Sequence, residues 1–329
     1  MYKIKKWVSA LLAGMMLFAL FPGLSFAAEA QQTQEPSVVR EEVALREEFS
    51  KHFLLSDGSF MAISYPEAVH VRSGDGWEEI DNTVSLNQSS AALKTRNQSF
   101  PVEFSASAAG DRLVSMQSGG RQLSWSLKAV AGEQLYAASE TAAAVPERLA
   151  KAADFASAPK AFGTVEYSQV FGGLQNVSVR YTVMQHKLEE DIILHERGAI
   201  TAFRMEMSAP GLRAAADEYN RVLLSDGEQT VYRISAPYMC DAADTVLNDF
   251  TVDIAQQGDQ ICITYTPQSG WLEDSARVYP VLFDPAITTS EYKSGIIDTY
   301  VVQGDTAAHG SEQRIYAGIK NGKVHRSYI

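Results

Sequence analysis

The sequence predicts an all-β protein whose antiparallel sheets stack in a β-sandwich-like manner, and three observations predict it. From residue 54 onward apolar and polar residues alternate with period two. Gly, Asp, Asn and Pro turn signals punctuate most gaps between the alternating runs. The runs are short and regularly spaced, the pattern of a double-sheet fold.

The N-terminus has the layout of a secretory signal. Lys3, Lys5 and Lys6 form a basic start, Trp7 to Phe21 is an apolar run, and Pro22-Gly23 ends it. Ser25-Phe26-Ala27 then places small residues where a signal peptidase reads. Residues 1–27 are therefore expected to be removed by cleavage between Ala27 and Ala28, with Ala28-Glu29-Ala30 as a second candidate. An uncleaved membrane anchor is the competing reading, but the run falls short of the ~20 apolar residues that span a bilayer. No later stretch approaches a transmembrane helix, so the chain is expected to be secreted or held at the cell surface. Loss of the signal takes the formal charge from −12 to −15, with 25 basic residues against 40 acidic ones. Such a surface lacks the basic footprint that nucleic acid requires, so no nucleic-acid partner is expected.

Residues 28–36 are rich in Gln, Glu and Ala and read as disordered. Val39, Val43, Arg46 and Phe49 then recur at helical spacing among Glu41, Glu42, Glu47 and Glu48, which predicts a short amphipathic helix within Val38 to Phe53. Residues 28–50 thus read as a disordered and helical lead-in to one β domain over 51–287. Its first predicted strands run from Phe60 to Tyr65, Val69 to Val71 and Trp77 to Ile80, after the turn Ser56-Asp57-Gly58 and around Ser73-Gly74-Asp75-Gly76. Others include Val102 to Ser105, Leu123 to Leu127, Val177 to Val183, Glu189 to Leu194, Ile200 to Met207, Phe250 to Ala255 and Gln260 to Tyr265. Ala137 to Ala161 breaks the pattern. It is alanine-rich, carries Pro146 and Pro159, and reads as a partly helical surface insertion. Two small domains joined by a linker there is the alternative.

The search for chemistry returns no enzyme site. The six histidines, His52, His70, His186, His195, His309 and His325, offer no i, i+4 pair and no HExxH. His70 and His195 read as structural. There is no GxSxG elbow, Walker loop or GxGxxG. Acids in turns, such as Asp57 and Asp75, lack the ligand spacing of a calcium loop. No metal and no cofactor are expected. Carboxylates are plentiful, and none stands out as a glycosidase pair. The chain holds two cysteines, so a Cys240–Cys262 disulfide is permitted in an exported protein, with two separate thiols as the alternative.

Three stretches carry a resemblance. Lys51-His52-Phe53 leads through Leu55-Ser56-Asp57-Gly58 and Tyr65-Pro66-Glu67 to Trp77-Glu78-Glu79-Ile80. Val165-Glu166-Tyr167 leads through Phe171-Gly172-Gly173 and Val179-Arg180-Tyr181 to Leu188-Glu189-Glu190-Asp191-Ile192. Trp271-Leu272 leads through Arg277-Val278-Tyr279-Pro280 to Asp284-Pro285. Together they resemble the N-terminal region of exported Gram-positive YD/Rhs-repeat proteins of the wall-associated type. The tail, Asp298-Thr299-Tyr300 through Arg314-Ile315-Tyr316 to Arg326-Ser327-Tyr328-Ile329, resembles the opening of a DNRLRE domain, so residues 288–329 read as its truncated start. The chain stops before the motif that names that domain, which is read as a truncated gene, an incomplete sequence or a fragment.

The expectation is a non-catalytic structural or surface-interaction region of an exported, polymorphic-toxin-like protein. Its partners would be a cell-wall or other surface glycan, or neighbouring domains of a longer parent protein. Two alternatives stand beside it. One is a carbohydrate-binding surface protein using Trp77, Trp125 and Trp271, and the other is a cryptic glycoside hydrolase on a β-sandwich.

Overall fold

A computed structural model describes residues 36–65, 68–87, 92–147, 163–185, 187–289, 299–302, 304, 318–320 and 323–328. Val39–Ile329 forms one compact unit. It is built from antiparallel strands, and two large sheets dominate it.

The first large sheet has nine strands. Its order runs Phe250–Gln257, Gln260–Pro267, Ala202–Ser208, Arg121–Ala131, Val114–Ser118, Val102–Phe104, Ala92–Asn97 and Asp81–Asn87, with Gln134–Ala137 paired to Arg121–Ala131. The second has eleven strands. Its main order runs Ala144–Glu147, Gly163–Tyr167, Val177–Val183, Lys187–Leu194, Ile287–Thr289, Thr230–Ile234, Val222–Ser225 and Arg213–Ala216. Val281–Asp284 extends it by pairing both Lys187–Leu194 and Tyr238–Asp241, and the latter also pairs Val246–Leu247. Smaller sheets are formed by Ser50–Leu55 with Phe60–Ser64, by the His70–Ser73 and Gly76–Glu79 hairpin, and by Lys323–Tyr328 between Thr299–Val302 and Gly318–Lys320.

Period-two patterning explains how the large sheets pack. Along Lys187–Leu194 and Val177–Val183 alternate side chains are buried, and the same holds along Gln260–Pro267. The inward faces of the two sheets share one hydrophobic core. Aromatic rings cross it: Phe203 of one sheet stacks on Phe283 of the other with centroids 5.4 Å apart, and Phe104 meets Tyr181 at 5.5 Å.

Both pairs of sheet margins are tied by side-chain amides. At one corner the Gln98 Nε2 donates to Asn82 Oδ1 and to the Met184 carbonyl, which links the first sheet's edge region to the second sheet. There Gly163 approaches so closely that a Cβ on it would lie 1.9 Å from the Asn82 carbonyl oxygen. At the other corner Gln256 of the edge strand Phe250–Gln257 accepts from the Ala214 N–H at 3.0 Å and donates to the Leu212 carbonyl at 2.7 Å.

Two helical expectations are corrected. The segment from Val38 to Phe53 holds the strand Val38–Glu41, a three-residue 3-10 turn Val43–Leu45 and the strand Ser50–Leu55. Its helical spacing is overridden by non-local partners: Ser50–Leu55 pairs with Phe60–Ser64, and Lys51 Nζ reaches Glu79 at 2.5 Å. The alanine-rich segment contributes strand Ala144–Glu147, paired with Gly163–Tyr167, and no α-helix occurs among the described residues. Residues 148–161 of that segment, the signal region with Ala27 and Ala28, and most of the 288–329 tail lie outside the described residues.

Candidate functional site

The outward face of the second sheet carries a row of ionisable side chains. Parity along each strand places them there. Glu166 pairs with Arg180, Arg180 with Asp191, and Tyr238 with Asp284 across successive ladders. Asp191 and Asp284 each stand one residue beyond the paired Ile192 and Phe283, which brings the row together. Arg180 donates from Nε and Nη2 to Glu166 at 3.0 and 2.9 Å, and Lys187 pairs with Glu189. The Tyr238 hydroxyl donates to Asp284 Oδ2 at 3.0 Å.

The acids in this row are perturbed. Burial and the neighbouring Glu189 push the Asp284 carboxyl up to about 6, against the hydrogen bond from Tyr238. Burial and Glu189 also raise Asp191, against Arg180 and Lys187. Asp284 Oδ1 and Glu189 Oε2 are buried atoms with no hydrogen-bond partner among the described residues. A carboxyl near its midpoint at mildly acidic pH beside further acidic side chains is what general acid–base chemistry uses. Among the described residues no group of three or more His, Cys, Asp or Glu side chains is arranged to hold a metal ion.

A second acid lies on the opposite face of the same strand. Glu190 shares inward parity with Leu188 and Ile192 and is 0 % exposed. Its Oε1 accepts from the Tyr181 hydroxyl and, at 3.4 Å, from Trp125 Nε1. Sequence reading missed it because Glu189-Glu190-Asp191 looks like a solvated acidic run. The available signal was parity, since Glu190 alternates in step with Leu188, Ile192 and Leu194.

The residues singled out from sequence are not gathered into one site. Cys240 and Cys262 are both free thiols. Each takes the outward parity of its strand, on different sheets with the shared core between, so the structure does not bring them together. His195 Nε2 lies 2.8 Å from Ser178 Oγ. His70 is buried, with Nδ1 2.6 Å from the Glu47 carbonyl. The three tryptophans are not open sugar platforms. Trp125 is 0 % exposed, while Arg72 covers a face of Trp77 at 4.5 Å and Arg277 a face of Trp271 at 3.5 Å.

The fold and site thus define a large antiparallel β protein with a charged row on one outer face. Among curated proteins the chain is similar to the "tRNA nuclease WapA" of Bacillus subtilis, at 21% identity over 291 residues, covering 84% of this chain and 11% of that protein. It is likewise similar to the "tRNA3(Ser)-specific nuclease WapA" of Bacillus spizizenii, at 20% identity over 299 residues, covering 86% of this chain and 12% of that protein. A third, the "tRNA(Glu)-specific nuclease WapA" of Bacillus subtilis subsp. natto, is 24% identical over 170 residues, 47% of this chain and 7% of that protein. The chain therefore spans about a tenth of the length of the first two relatives. No family model matches it, and no solved structure matches it.

These findings correct three expectations. The reading as a YD/Rhs-repeat region running into a DNRLRE domain has no family match behind it. The reading as a non-enzyme does not stand, because the similar proteins are named nucleases. The exclusion of nucleic acid falls for the same reason, since those names specify tRNA. Net charge describes a whole surface, whereas a ligand meets one patch of it, so an acidic composition does not exclude a nucleic-acid partner. No helix among the described residues is long and apolar enough to cross a membrane.

Proposed function

We propose that this chain is a structural and surface-interaction region of an exported, cell-surface protein that acts on tRNA. The observation that carries the reading is the similarity to the tRNA nucleases, which extends over more than four fifths of this chain yet only about a tenth of theirs. The signal layout from Lys3 to Ala27 supports export. In this reading residues 51–287 form the β body, cleavage follows Ala27, and the tRNA-cleaving activity belongs to the protein as a whole.

Expression of the epitope-tagged chain in a Bacillus host tests the export half. The tag is expected in the wall and medium fractions with the first 27 residues removed, and retention of the intact chain in the cytosol overturns it. End-labelled tRNA mixed with lysate from cells carrying the complete open reading frame tests the other half. Discrete cleavage products are expected, and intact tRNA across conditions refutes it.

A second reading is favoured by the raised carboxyl of Asp284. The row Glu189, Asp191, Asp284 and Tyr238 would then supply a general acid–base pair for hydrolysis. Asp284→Asn is expected to abolish tRNA or polysaccharide cleavage by the purified chain while leaving its unfolding curve near that of the parent. Unchanged turnover in that variant eliminates the row as a catalytic site.

A further inference from the structure

We propose that Glu190 is a proton lock on the two-sheet body: the core closes tightly around its protonated carboxyl and holds less tightly once the proton has left. The geometry comes from five strands. Glu190 projects from Lys187–Leu194 into the shared core. Trp125 reaches it from Arg121–Ala131 and Tyr181 from Val177–Val183, both donating to Oε1. Oε2 receives no hydrogen bond among the described residues. Tyr265 of Gln260–Pro267 lies within electrostatic reach, and its hydroxyl also has no hydrogen-bond partner among them. The charged groups that act on Glu190 are Asp284 of Val281–Asp284 and Asp191 of its own strand, and both disfavour a second negative charge nearby.

An ionised carboxylate at full burial requires a cation or several donors to be stable. Glu190 has two donors, both on one oxygen, beside two acids. Protonation resolves the conflict. The neutral acid keeps Oε1 as acceptor and makes Oε2 an O–H donor, which suits a core that contains the Tyr265 hydroxyl oxygen. Burial accordingly pushes the Glu190 carboxyl up to about 7, against the bonds from Tyr181 and Trp125.

The sign follows from linkage. The folded state holds this proton up to about pH 7, while the unfolded state releases it near the ordinary value of 4.5. Stability from this group is therefore complete below 4.5, declines as pH rises, and is gone above about 7. One extra bound proton changes the folding constant about tenfold per pH unit.

The test is urea unfolding of the chain and of Glu190→Gln between pH 5 and 9. Glutamine keeps the shape and removes the titration, and the ratio of the two folding constants cancels contributions from other groups. That ratio is expected to shift in favour of Glu190→Gln by about tenfold per pH unit from pH 5 to 7 and to level off above. A ratio that stays constant across pH 5–7 overturns the lock. Should Glu190→Gln not fold, the wild-type chain labelled with 13C at glutamate Cδ decides the matter by NMR. One carboxyl midpoint near 7, absent after unfolding, is expected; glutamates that all titrate in the ordinary carboxylic range reject it.

Discussion

Tyr181 and Glu190 stand opposite one another on neighbouring strands, and the phenol donates its hydrogen bond to the carboxyl oxygen inside the closed core. This bond favours the ionised acid, while burial and the phenol's own confinement oppose charge on either partner. Tyr181→Phe removes the donor and leaves the carboxyl more exposed to its desolvation penalty. A loss of about 1–3 kcal/mol is expected at pH 8, where Glu190 is ionised, and a smaller one at pH 5. Urea unfolding at both values checks it, and equal losses at the two would contradict the assignment.

The N-terminal strands should respond to pH in the opposite sense. His70 is buried, donates from Nδ1 to the Glu47 carbonyl, and has Nε2 3.8 Å from Glu41 Oε1. Burial lowers its pKa below 6.5, and the cations Arg46 and Lys51 add to the shift against Glu41 and the Glu47 bond. The unfolded chain then binds this proton first. Stability from His70 is present above 6.5 and is lost as pH falls through the lowered folded value. Protection of the Ser50–Leu55 amides, taken as the observed exchange rate relative to the intrinsic rate at each pH, is expected to be weaker at pH 5 than at pH 7, and His70→Gln should flatten that difference.

Gly163 packs directly against the Asn82 backbone at one corner of the two sheets. Gly163→Ala would drive a methyl group into the Asn82 carbonyl, a clash the backbone must relieve by moving. A cost of about 1–3 kcal/mol is expected. For a domain of this size that is a Tm lower by several degrees in a calorimetric scan, and an unchanged Tm would show that the corner is looser than its geometry states.

Arg277 and Asp241 form a buried pair at 2.7 Å, with the guanidinium also over Trp271. Burial raises Asp241, but the N–H groups of Thr245 and Val278, the Arg277 bond and the Ala243 N–H together hold it well below the usual carboxylate range. Arg277→Ala should lower the urea midpoint far more than Lys94→Ala, which breaks the more exposed pair with Glu103. Paired unfolding curves at pH 7 read the contrast. The Arg277→Ala deficit should shrink at low pH, once Asp241 is protonated.

Much of the body was legible because it follows parity. The strand read from Val177 to Val183 is the strand formed, and Phe250 and Gln260 begin strands where the alternation begins. The lead-in was not legible. Val39 and Val43 are four residues apart and suggest a helix face, yet the segment is settled by Phe60–Ser64 and Glu79, whose contacts local spacing cannot report. The acidic row was hidden for a related reason. Glu166, Arg180, Asp191 and Asp284 are spread over more than a hundred positions, and only the order of strands makes them neighbours. Glu190 was in plain view, but its neighbours Glu189 and Asp191 disguised its direction.

The corners sealed by Gln98 and Gln256 have a consequence for how this body would give way. Carboxamides do not ionise, so neither seam answers to acidity, whereas the middle of the sandwich does. A rise in pH therefore strains the interior while the rim stays stitched. The interior around Glu190 is expected to loosen before these two carboxamide seams do.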